Sequence, residues 1–368
     1  MHKYCTIVSA NYLPQALTLA DSLHEVYPGQ ILNVLVIDLD KGSIQDHSNI
    51  HYLFVSELSI ETSQRQSMQA YYDVVEFATA MKPTLLLHLL QDSPETVSYI
   101  DPDIYIFSEI SQAQEIGGQI GLAITPHRVT TMPFLPASPM ELSFIRVGIY
   151  NLGFICVGKK ATSILEWWEK RLRWHATQFD GLPYFTDQKW ADFFPTFEQC
   201  KILVHKGYNL AFWNIDERPL SVRNAEFFAG DDKLVFVHFS QMSSELMRHG
   251  ESKLWGNWLS VENYDPKSIS IVNNISRTYA AKLNQKSKEI ESFELNPIVS
   301  FSSRGRFARL RMIRRDIKEQ KLFSRWALSN YLSIPKLVFL LERSSTLNGL
   351  RTGYFKDLTK IQKRRNQN

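Results

Sequence analysis

The chain has 368 residues, of which 44% are hydrophobic and 21% charged, and its formal net charge at pH 7 is +3. This composition excludes a disordered or fibrous protein and supplies enough apolar side chains for one large domain or two ordinary ones. Three widely spaced cysteines, Cys5, Cys156 and Cys200, indicate no disulfide framework, and the apolar runs are too short to predict a secretory signal or a transmembrane helix. We therefore expect a cytoplasmic protein.

The first forty residues predict a β-α-β unit. Strands are expected over Tyr4–Ser9 and Ile31–Ile37, with an amphipathic helix over Pro14–Val26 between them. Such a unit predicts a parallel sheet whose ligand crevice lies at the carboxyl ends of the strands. Asn11 and Asp38 follow these two strands, so both fall on that edge of the sheet.

Strands and helices continue to alternate as far as about residue 240. The pattern predicts one long helix over Met68–Gln91, with a break at Lys82-Pro83, because proline disrupts the hydrogen bonding of a helix interior. Further strands are expected over His51–Val55, Val97–Ile100, Ile120–Thr125, Asn151–Val157 and Leu234–Phe239. Further helices are expected over Ile164–His175 and Phe185–Phe194.

Positive charge is concentrated at the C-terminal end of the chain. Residues 303–368 contain 17 Lys/Arg against 4 Asp/Glu, whereas residues 1–302 contain 24 against 34. Polar, helix-compatible sequence over 261–302 separates the two parts. We therefore expect a catalytic or binding domain over 1–260, a helical linker region over 261–302 and a basic helical tail over 303–368.

The basic tail contains an amphipathic pattern. Apolar residues recur at helical spacing among its arginines, at Phe307, Leu310, Ile313 and Ile317. Two interpretations stay open: the helix binds an anionic membrane surface, which would place the protein peripherally on the inner face of the cell membrane, or its apolar stripe packs on the acidic domain. No nucleic acid is expected as a partner because the domain itself is acidic, although salt-dependent polyanion binding by the tail stays an alternative.

Two carboxylates follow the strand that is predicted to end at Ile100. Asp101 and Asp103 flank Pro102, and alternate residues of an extended chain turn their side chains to the same side. Pro102 restrains the backbone of this loop. Such a pair suits Mg²⁺ or Mn²⁺, although Asp-Pro-Asp is also common in solvated turns.

Four other motifs place polar residues beside apolar elements, and each has a common structural role when taken alone. They are Glu76–Pro83, Tyr150–Phe154, Thr186–Trp190 and Phe236–Ser240. Together with the Asp-Pro-Asp motif, and in this order, they resemble nucleotide-sugar glycosyltransferases of the GT-A fold, in particular retaining family 8 enzymes and related bacterial surface-polysaccharide glycosyltransferases. The resemblance covers residues 4–245, and Gly207–Asn214 resembles a further segment of the bacterial relatives.

This resemblance implies an α/β GT-A fold, in which helices flank a mixed, Rossmann-like central sheet. It implies a metal-dependent hexosyltransferase that takes its sugar from a nucleotide sugar, a UDP-sugar, with Mn²⁺ or Mg²⁺ as the cofactor. The acceptor is expected to be a bacterial surface glycan or a related lipid-linked glycan. Asp101, Asp103 and His238 match the metal ligands of the family.

The remaining site residues are carried over by position. Donor binding is expected of Ala10, Asn11, Tyr12, Asp38, Lys82, Asp101 and Ser240. Catalytic roles around the transferred sugar are expected of Asn151, Asp187 and Gln188. Family 8 enzymes have a Lys-Pro-Trp sequence after the final histidine, and this chain lacks it. Ser240 is therefore expected to replace the phosphate contact of that lysine.

Retention of configuration is expected to proceed by same-face transfer, because Gln188 is a poor nucleophile. We expect Asp187 and Gln188 to orient the sugar and the acceptor instead.

Two alternative functions remain. A sugar-1-phosphate nucleotidyltransferase would normally carry a glycine-rich basic loop after its first strand, whereas residues 9–14 contain neither glycine nor a basic residue. A degenerate GT-A binding protein, tethered by its tail, is disfavoured by the complete set of motif residues.

Overall fold

The structure is a computed structural model, and it describes most of the chain up to residue 301. The described residues are 1–131, 140–178, 185–240, 265–291, 295, 297–299 and 301. The basic tail predicted over 303–368 lies outside them, so its helix and its membrane contact stay predictions. Within the described residues, no helix combines the length and the apolar character needed to cross a membrane.

The strands of the described residues form one large sheet and two small ones. They are β1 His2–Val8, β2 Leu32–Val36, β3 Ile50–Phe54, β4 Thr96–Ile100, β5 Ile104–Ile106, β6 Leu122–Pro126, β7 Tyr150–Val157, β8 Cys200–Ile202, β9 Leu220–Arg223, β10 Glu226–Ala229, β11 Asp232–Lys233 and β12 Phe236–His238. The central sheet has the order β3-β2-β1-β4-β7-β6-β8, and β7 runs antiparallel to both of its neighbours. The small sheets are β11-β10-β9 and β12-β5.

Helices cover the faces of the central sheet. They are α1 Leu13–Val26, α2 Thr62–Tyr71, α3 Val74–Ala80, α4 Lys82–Leu90, α5 Ser111–Gln119, α6 Met140–Val147, α7 Thr162–Leu172 and α8 Pro266–Glu291. In addition, 3-10 turns cover Ala10–Tyr12 and Gln188–Thr196. The predicted α/β fold, with a mixed central sheet flanked by helices, is confirmed.

The parallel half of the sheet forms for the reasons that the sequence indicates. Strands β1, β2 and β4 are runs of largely buried residues, as expected for parallel strands that are covered on both faces. Helix α1 has Pro14 in its first turn, where the missing N–H costs no hydrogen bond, and it buries Leu17 and Leu23 in the core. The carboxyl ends of these parallel strands therefore meet at one edge, where Ala10 and Asp101 follow β1 and β4.

The single helix predicted over Met68–Gln91 is wrong, because the chain forms α2, α3 and α4 there. The unexpected break lies at Asp73, whose carboxylate accepts hydrogen bonds from the backbone N–H groups of Val75 and Glu76, both at 2.9 Å. Glu76 accepts in return from the N–H of Asp73 at 3.0 Å. This capping box starts a new helix. The break predicted at Lys82-Pro83 is present, since α4 begins at Lys82.

The late strand predicted over Leu234–Phe239 is shorter than expected and pairs with a different partner. Strand β12 runs antiparallel to β5 outside the central sheet, with His238 opposite Ile104. Because β5 begins three residues after Asp101, this pairing carries His238 to the loop that follows β4.

Helix α8 packs against the domain rather than standing apart from it. Its apolar side chains Val272, Ile275 and Leu283 are buried, and the ring of Tyr279 stacks on Phe239 at 4.0 Å between centroids. Beyond this helix, the N–H of Ile298 donates to the backbone oxygen of Asp38 at 2.8 Å. The chain thus returns to the edge of the sheet where the candidate site lies, and the domain boundaries at 260 and 302 stay predictions.

Candidate functional site

Three potential metal ligands meet at the turn after β4. The Nε2 atom of His238 lies 3.2 Å from Oδ1 of Asp103 and 3.8 Å from Oδ2 of Asp101. One ligand atom from each residue lies within 4.8 Å of the other two. A divalent cation with bonds of roughly 2.1 Å can bridge such a set, and carboxylates combined with an imidazole suit Mn²⁺. The three residues therefore form a candidate metal centre.

The charges of this centre influence one another. Burial alone would lower the pKa of His238, but the negative charges of Asp103 and Asp101 outweigh it and raise the pKa. Burial alone would raise the pKa of Asp103, and the neighbouring His238 outweighs it, so this pKa is lowered. Without a cation, the charged forms of the two side chains stabilise each other. A metal ligand must be unprotonated, so a cation bound here would compete with a proton for the imidazole.

Gly153 permits the approach of His238 to the carboxylates. A Cβ atom at this position would overlap Cε1 of His238 and would lie 2.8 Å from both Nδ1 of His238 and Oδ1 of Asn151. The backbone oxygen of Gly153 also accepts a hydrogen bond from the N–H of Asp101 at 2.7 Å. The Asn-x-Gly motif therefore contributes a glycine that the geometry of the metal centre requires.

Lys82 connects the metal centre to Asp187. Its Nζ atom lies 2.9 Å from Oδ2 of Asp187 and 3.5 Å from Oδ1 of Asp101, and it donates to the backbone oxygen of Leu152 at 2.9 Å. The side chains of Lys82 and Asp187 are only 4% and 3% exposed. Burial alone would lower the pKa of Lys82, but Asp101 and Asp187 outweigh it and raise the pKa. Burial raises the pKa of Asp187 in spite of Lys82.

The side-chain amide of Gln188 holds two backbone segments of the site together. Its Oε1 accepts from the N–H of Leu152 at 3.1 Å, and its Nε2 donates to the backbone oxygen of Val147 at 3.2 Å. Both ends of the amide are thus engaged with the backbone of β7 and α6. The close fit continues at Gly148, where a Cβ atom would lie 3.0 Å from the backbone oxygen of Gln188.

Most of the predicted site residues share one cavity of about 490 Å³, a size typical of small-molecule sites. The predicted residues that line it are Lys82, Asp101, Asp103, Asn151, Asp187, Gln188, His238 and Ser240. Ser240 lines the same cavity as the metal centre, and its role stays a prediction. The cavity has further walls that the sequence did not predict, formed by His127, Phe144, Arg146 and Trp213.

The four residues predicted to bind the nucleoside lie outside this cavity, at the neighbouring strand ends. The N–H of Ala10 donates to Oδ1 of Asp38 at 2.8 Å, which ties the turn after β1 to the end of β2. Burial raises the pKa of Asp38. Asn11 is exposed and Tyr12 is 43% exposed. Burial, followed by the negative charges of Asp103 and Asp101, raises the pKa of Tyr12.

His127 is a cavity residue that sequence reasoning missed. It stands directly after β6, and a signal was present, because polar residues at the end of a predicted strand also marked Asp38 and Asp101. The segment Gly207–Asn214 explains how His127 is held. Asn214 Nδ2 donates to the backbone oxygens of both His127 and Asn209 at 2.9 Å. Nearby, buried Arg218 donates to the backbone oxygen of Lys206 at 3.1 Å.

Comparisons with known proteins give distant likenesses. No protein-family model matches the chain. The chain is 26% identical over 244 residues to the uncharacterized protein YfnF of Bacillus subtilis strain 168, covering 64% of this chain and 80% of YfnF. It is 24% identical over 246 residues to the uncharacterized protein YfnD of the same strain, covering 64% of this chain and 76% of YfnD.

Solved structures of two glycosyltransferases are also similar to the chain. The galactosyltransferase LgtC, crystallised with donor and acceptor sugar analogs, is 12% identical with a TM-score of 0.41, over 73% of this chain and 98% of LgtC. The glycosyltransferase GlyE of Streptococcus pneumoniae TIGR4 is 14% identical with a TM-score of 0.38, over 83% of this chain and 67% of GlyE. At these scores the likenesses assign no function, so a functional conclusion must rest on the geometry of the site and the motifs that form it.

Proposed function

We propose that the chain is a metal-dependent glycosyltransferase that moves a hexose from a UDP-sugar to a bacterial surface glycan or a related lipid-linked acceptor, with retention of anomeric configuration. One observation carries this proposal: a single cavity joins the Asp101, Asp103 and His238 cluster to the buried pair of Lys82 and Asp187. All five residues belong to the sequence motifs that resemble nucleotide-sugar glycosyltransferases.

The donor set fits Mn²⁺ or Mg²⁺, since two carboxylates and an imidazole face one another within bonding reach of one ion. When bound, the cation supplies a Lewis acid that offsets the negative charge developing on the departing nucleoside diphosphate. Asp101, Asp103 and His238 would hold it. Tyr12, exposed in the turn after β1, would lie against the nucleoside, and Ser240 would lie towards the diphosphate.

The carboxylates of the cavity favour a same-face reaction. Among the described residues that line it, the carboxylates are Asp101, Asp103 and Asp187. The first two are assigned to the cation, and Asp187 is held by Lys82 in a buried position. An inverting reaction needs a general base at the acceptor hydroxyl, and none of the three is free for that role. Asp187 and Gln188 would instead orient the sugar, while Lys82 holds Asp187 in place.

The proposal is tested by a thermal-shift screen of UDP-, GDP- and TDP-sugars with and without Mn²⁺, followed by donor turnover. A ligand that binds the folded protein raises its melting temperature by mass action, so we expect a UDP-sugar to do so when Mn²⁺ is present. Donor turnover should fall at least about 100-fold in Asp103→Asn, because metal stabilisation contributes several kcal/mol.

Asp231→Asn is the matched control, since Asp231 is a fully exposed carboxylate whose ion-pair partner is Arg223 at 3.7 Å. It should keep wild-type turnover. The proton coupling at the anomeric carbon of the product reports the configuration, and we expect retention. Full turnover by Asp103→Asn in the presence of a chelator, or no stabilisation by any nucleotide sugar, would contradict the proposal.

A further inference from the structure

Both ring nitrogens of His127 have a partner. Nδ1 lies 3.0 Å from the backbone oxygen of Ile149, and Nε2 lies 3.2 Å from Nδ2 of Asn151. A carbonyl oxygen can only accept, so Nδ1 carries the proton. In a neutral imidazole Nε2 then has a free lone pair, which accepts a hydrogen bond from the amide of Asn151.

The position of His127 is fixed from several sides. The side chain is buried, with the residue 6% exposed, and its ring stacks on Phe144 at 4.9 Å and meets Trp213 edge-on at 5.5 Å. Its backbone oxygen accepts from Nδ2 of Asn214 at 2.9 Å. Burial lowers the pKa of His127 to about 4, which keeps the ring neutral at neutral pH. The ring is therefore a rigid acceptor at the wall of the cavity.

The amide of Asn151 is oriented by this acceptor. Its Oδ1 accepts from the N–H of Gly153 at 2.9 Å, on the side away from His127. One hydrogen of Nδ2 is used by His127. An amide nitrogen carries two hydrogens, so one N–H of Asn151 remains for the cavity that this residue lines.

We propose that His127 is a positioning residue, which fixes the Asn151 amide so that Asn151 offers an N–H donor, and not a carbonyl acceptor, to an oxygen of the bound sugar. That the ligand is a sugar rests on the proposed function. The orientation of the Asn151 amide is independent of that function, because it follows from the hydrogen bonds within the protein. Protonation of Nε2, or a flip of the Asn151 amide, would break these hydrogen bonds.

The direct test measures the tautomer of His127 in the full-length wild-type chain. A long-range ¹H–¹⁵N correlation spectrum shows which ring nitrogen carries the proton, and the His127 signals are identified by their loss in His127→Gln. We expect a proton on Nδ1 and none on Nε2 at pH 7. A proton on Nε2, alone or with Nδ1, would overturn the proposal. This measurement needs no substrate, so its outcome is separate from that of the proposed function.

A functional test uses His127→Gln, whose amide oxygen can replace Nε2 as an acceptor, and His127→Leu, which offers no acceptor. With Mn²⁺ and either UDP-glucose or UDP-galactose, kcat/KM for donor hydrolysis should fall about 10-fold in His127→Leu, the effect of one lost hydrogen bond, and only a few-fold in His127→Gln. Mn²⁺ affinity should be unchanged in both variants. Equal losses of kcat/KM in the two folded variants would contradict the positioning role. If neither donor is hydrolysed, the tautomer measurement alone decides the proposal.

Discussion

The two ends of the candidate site are built differently. At the nucleoside edge, Asp38 is the one predicted residue whose buried side chain is fixed by a hydrogen bond, from the N–H of Ala10, while Asn11 and Tyr12 face solvent. At the metal centre, Lys82, Asp187 and His238 are buried and the two aspartates are about one quarter exposed, and each charge lies within 4 Å of an opposite charge. Removing one buried partner leaves an uncompensated charge, which costs several kcal/mol. A substitution at the nucleoside edge should therefore cost less free energy than one at the metal centre and disturb fewer neighbouring residues.

The largest effect that this contrast predicts is that of Gly153→Ala. The new Cβ atom would overlap His238, so the imidazole must leave the two carboxylates. We expect Mn²⁺ affinity to fall at least about 100-fold, or about 2.7 kcal/mol, in a titration followed by electron paramagnetic resonance of free Mn²⁺.

Gly118→Ala is the control for this change. Gly118 lies in α5 with nothing nearer to its Cβ position than Cγ2 of Thr96 at 3.8 Å. This variant should bind Mn²⁺ like the wild type and gain about 0.5–1 kcal/mol of stability from helix propensity. Wild-type affinity in Gly153→Ala would show that His238 does not need the space beside Gly153.

The next largest effect concerns His127 in the wall of the cavity, and it is a dependence of stability on pH. Burial lowers the pKa of His127 from its unfolded value of 6.5 to about 4, so the unfolded chain binds this proton first as the pH falls. On acidification from pH 7 to pH 5, His127 becomes protonated in the unfolded chain but not in the folded protein. This difference lowers the free energy of unfolding by about 2 kcal/mol.

Urea unfolding of the wild type and of His127→Gln at both pH values measures this difference. The variant should lose less stability than the wild type on acidification, by about that amount. The exposed His51 provides the control, and His51→Gln should follow the wild type. Parallel pH profiles for wild type and His127→Gln would mean that His127 is not held neutral.

The smallest effect is expected at the nucleoside edge. Tyr12→Ala removes an aromatic ring that is 43% exposed, so stability should change little. If this ring lies against the base, UDP affinity should fall about 10-fold, since stacking on a base contributes about 1–3 kcal/mol. Calorimetric titration with UDP and Mn²⁺ measures the change, and Mn²⁺ affinity alone should stay at the wild-type value. A loss of Mn²⁺ binding would show that the two ends of the site are not separable.

The parallel half of the fold could be predicted because its signals are local. Buried strand runs and a proline at the start of α1 identify the β-α-β unit without any long-range contact. The division of the predicted long helix was missed, since Asp73 and Glu76 stop and restart a helix inside an otherwise continuous periodic pattern. The short pair β5 and β12 was also beyond local signals, because its strands are 130 residues apart in sequence.

The candidate site shows the same limit. The order of the motifs selected Asp101, Asp103 and His238, which do meet in space. The end of a predicted strand was a local signal for His127, but its place in their cavity depends on a hydrogen bond from Asn214 and on the ring of Trp213, which the sequence could not predict. Contacts of this kind come from chain segments more than 80 residues away, and they have no periodic or compositional pattern.

Metal-dependent donor binding at this site is tested most directly by anomalous diffraction at the manganese absorption edge, from crystals of the full chain grown with Mn²⁺ and UDP. We expect one strong peak within bonding distance of Asp101, Asp103 and Nε2 of His238, with the diphosphate of UDP beside it. Bound UDP without a manganese peak at these three residues, or with the peak elsewhere, would contradict the metal-dependent function proposed for this site.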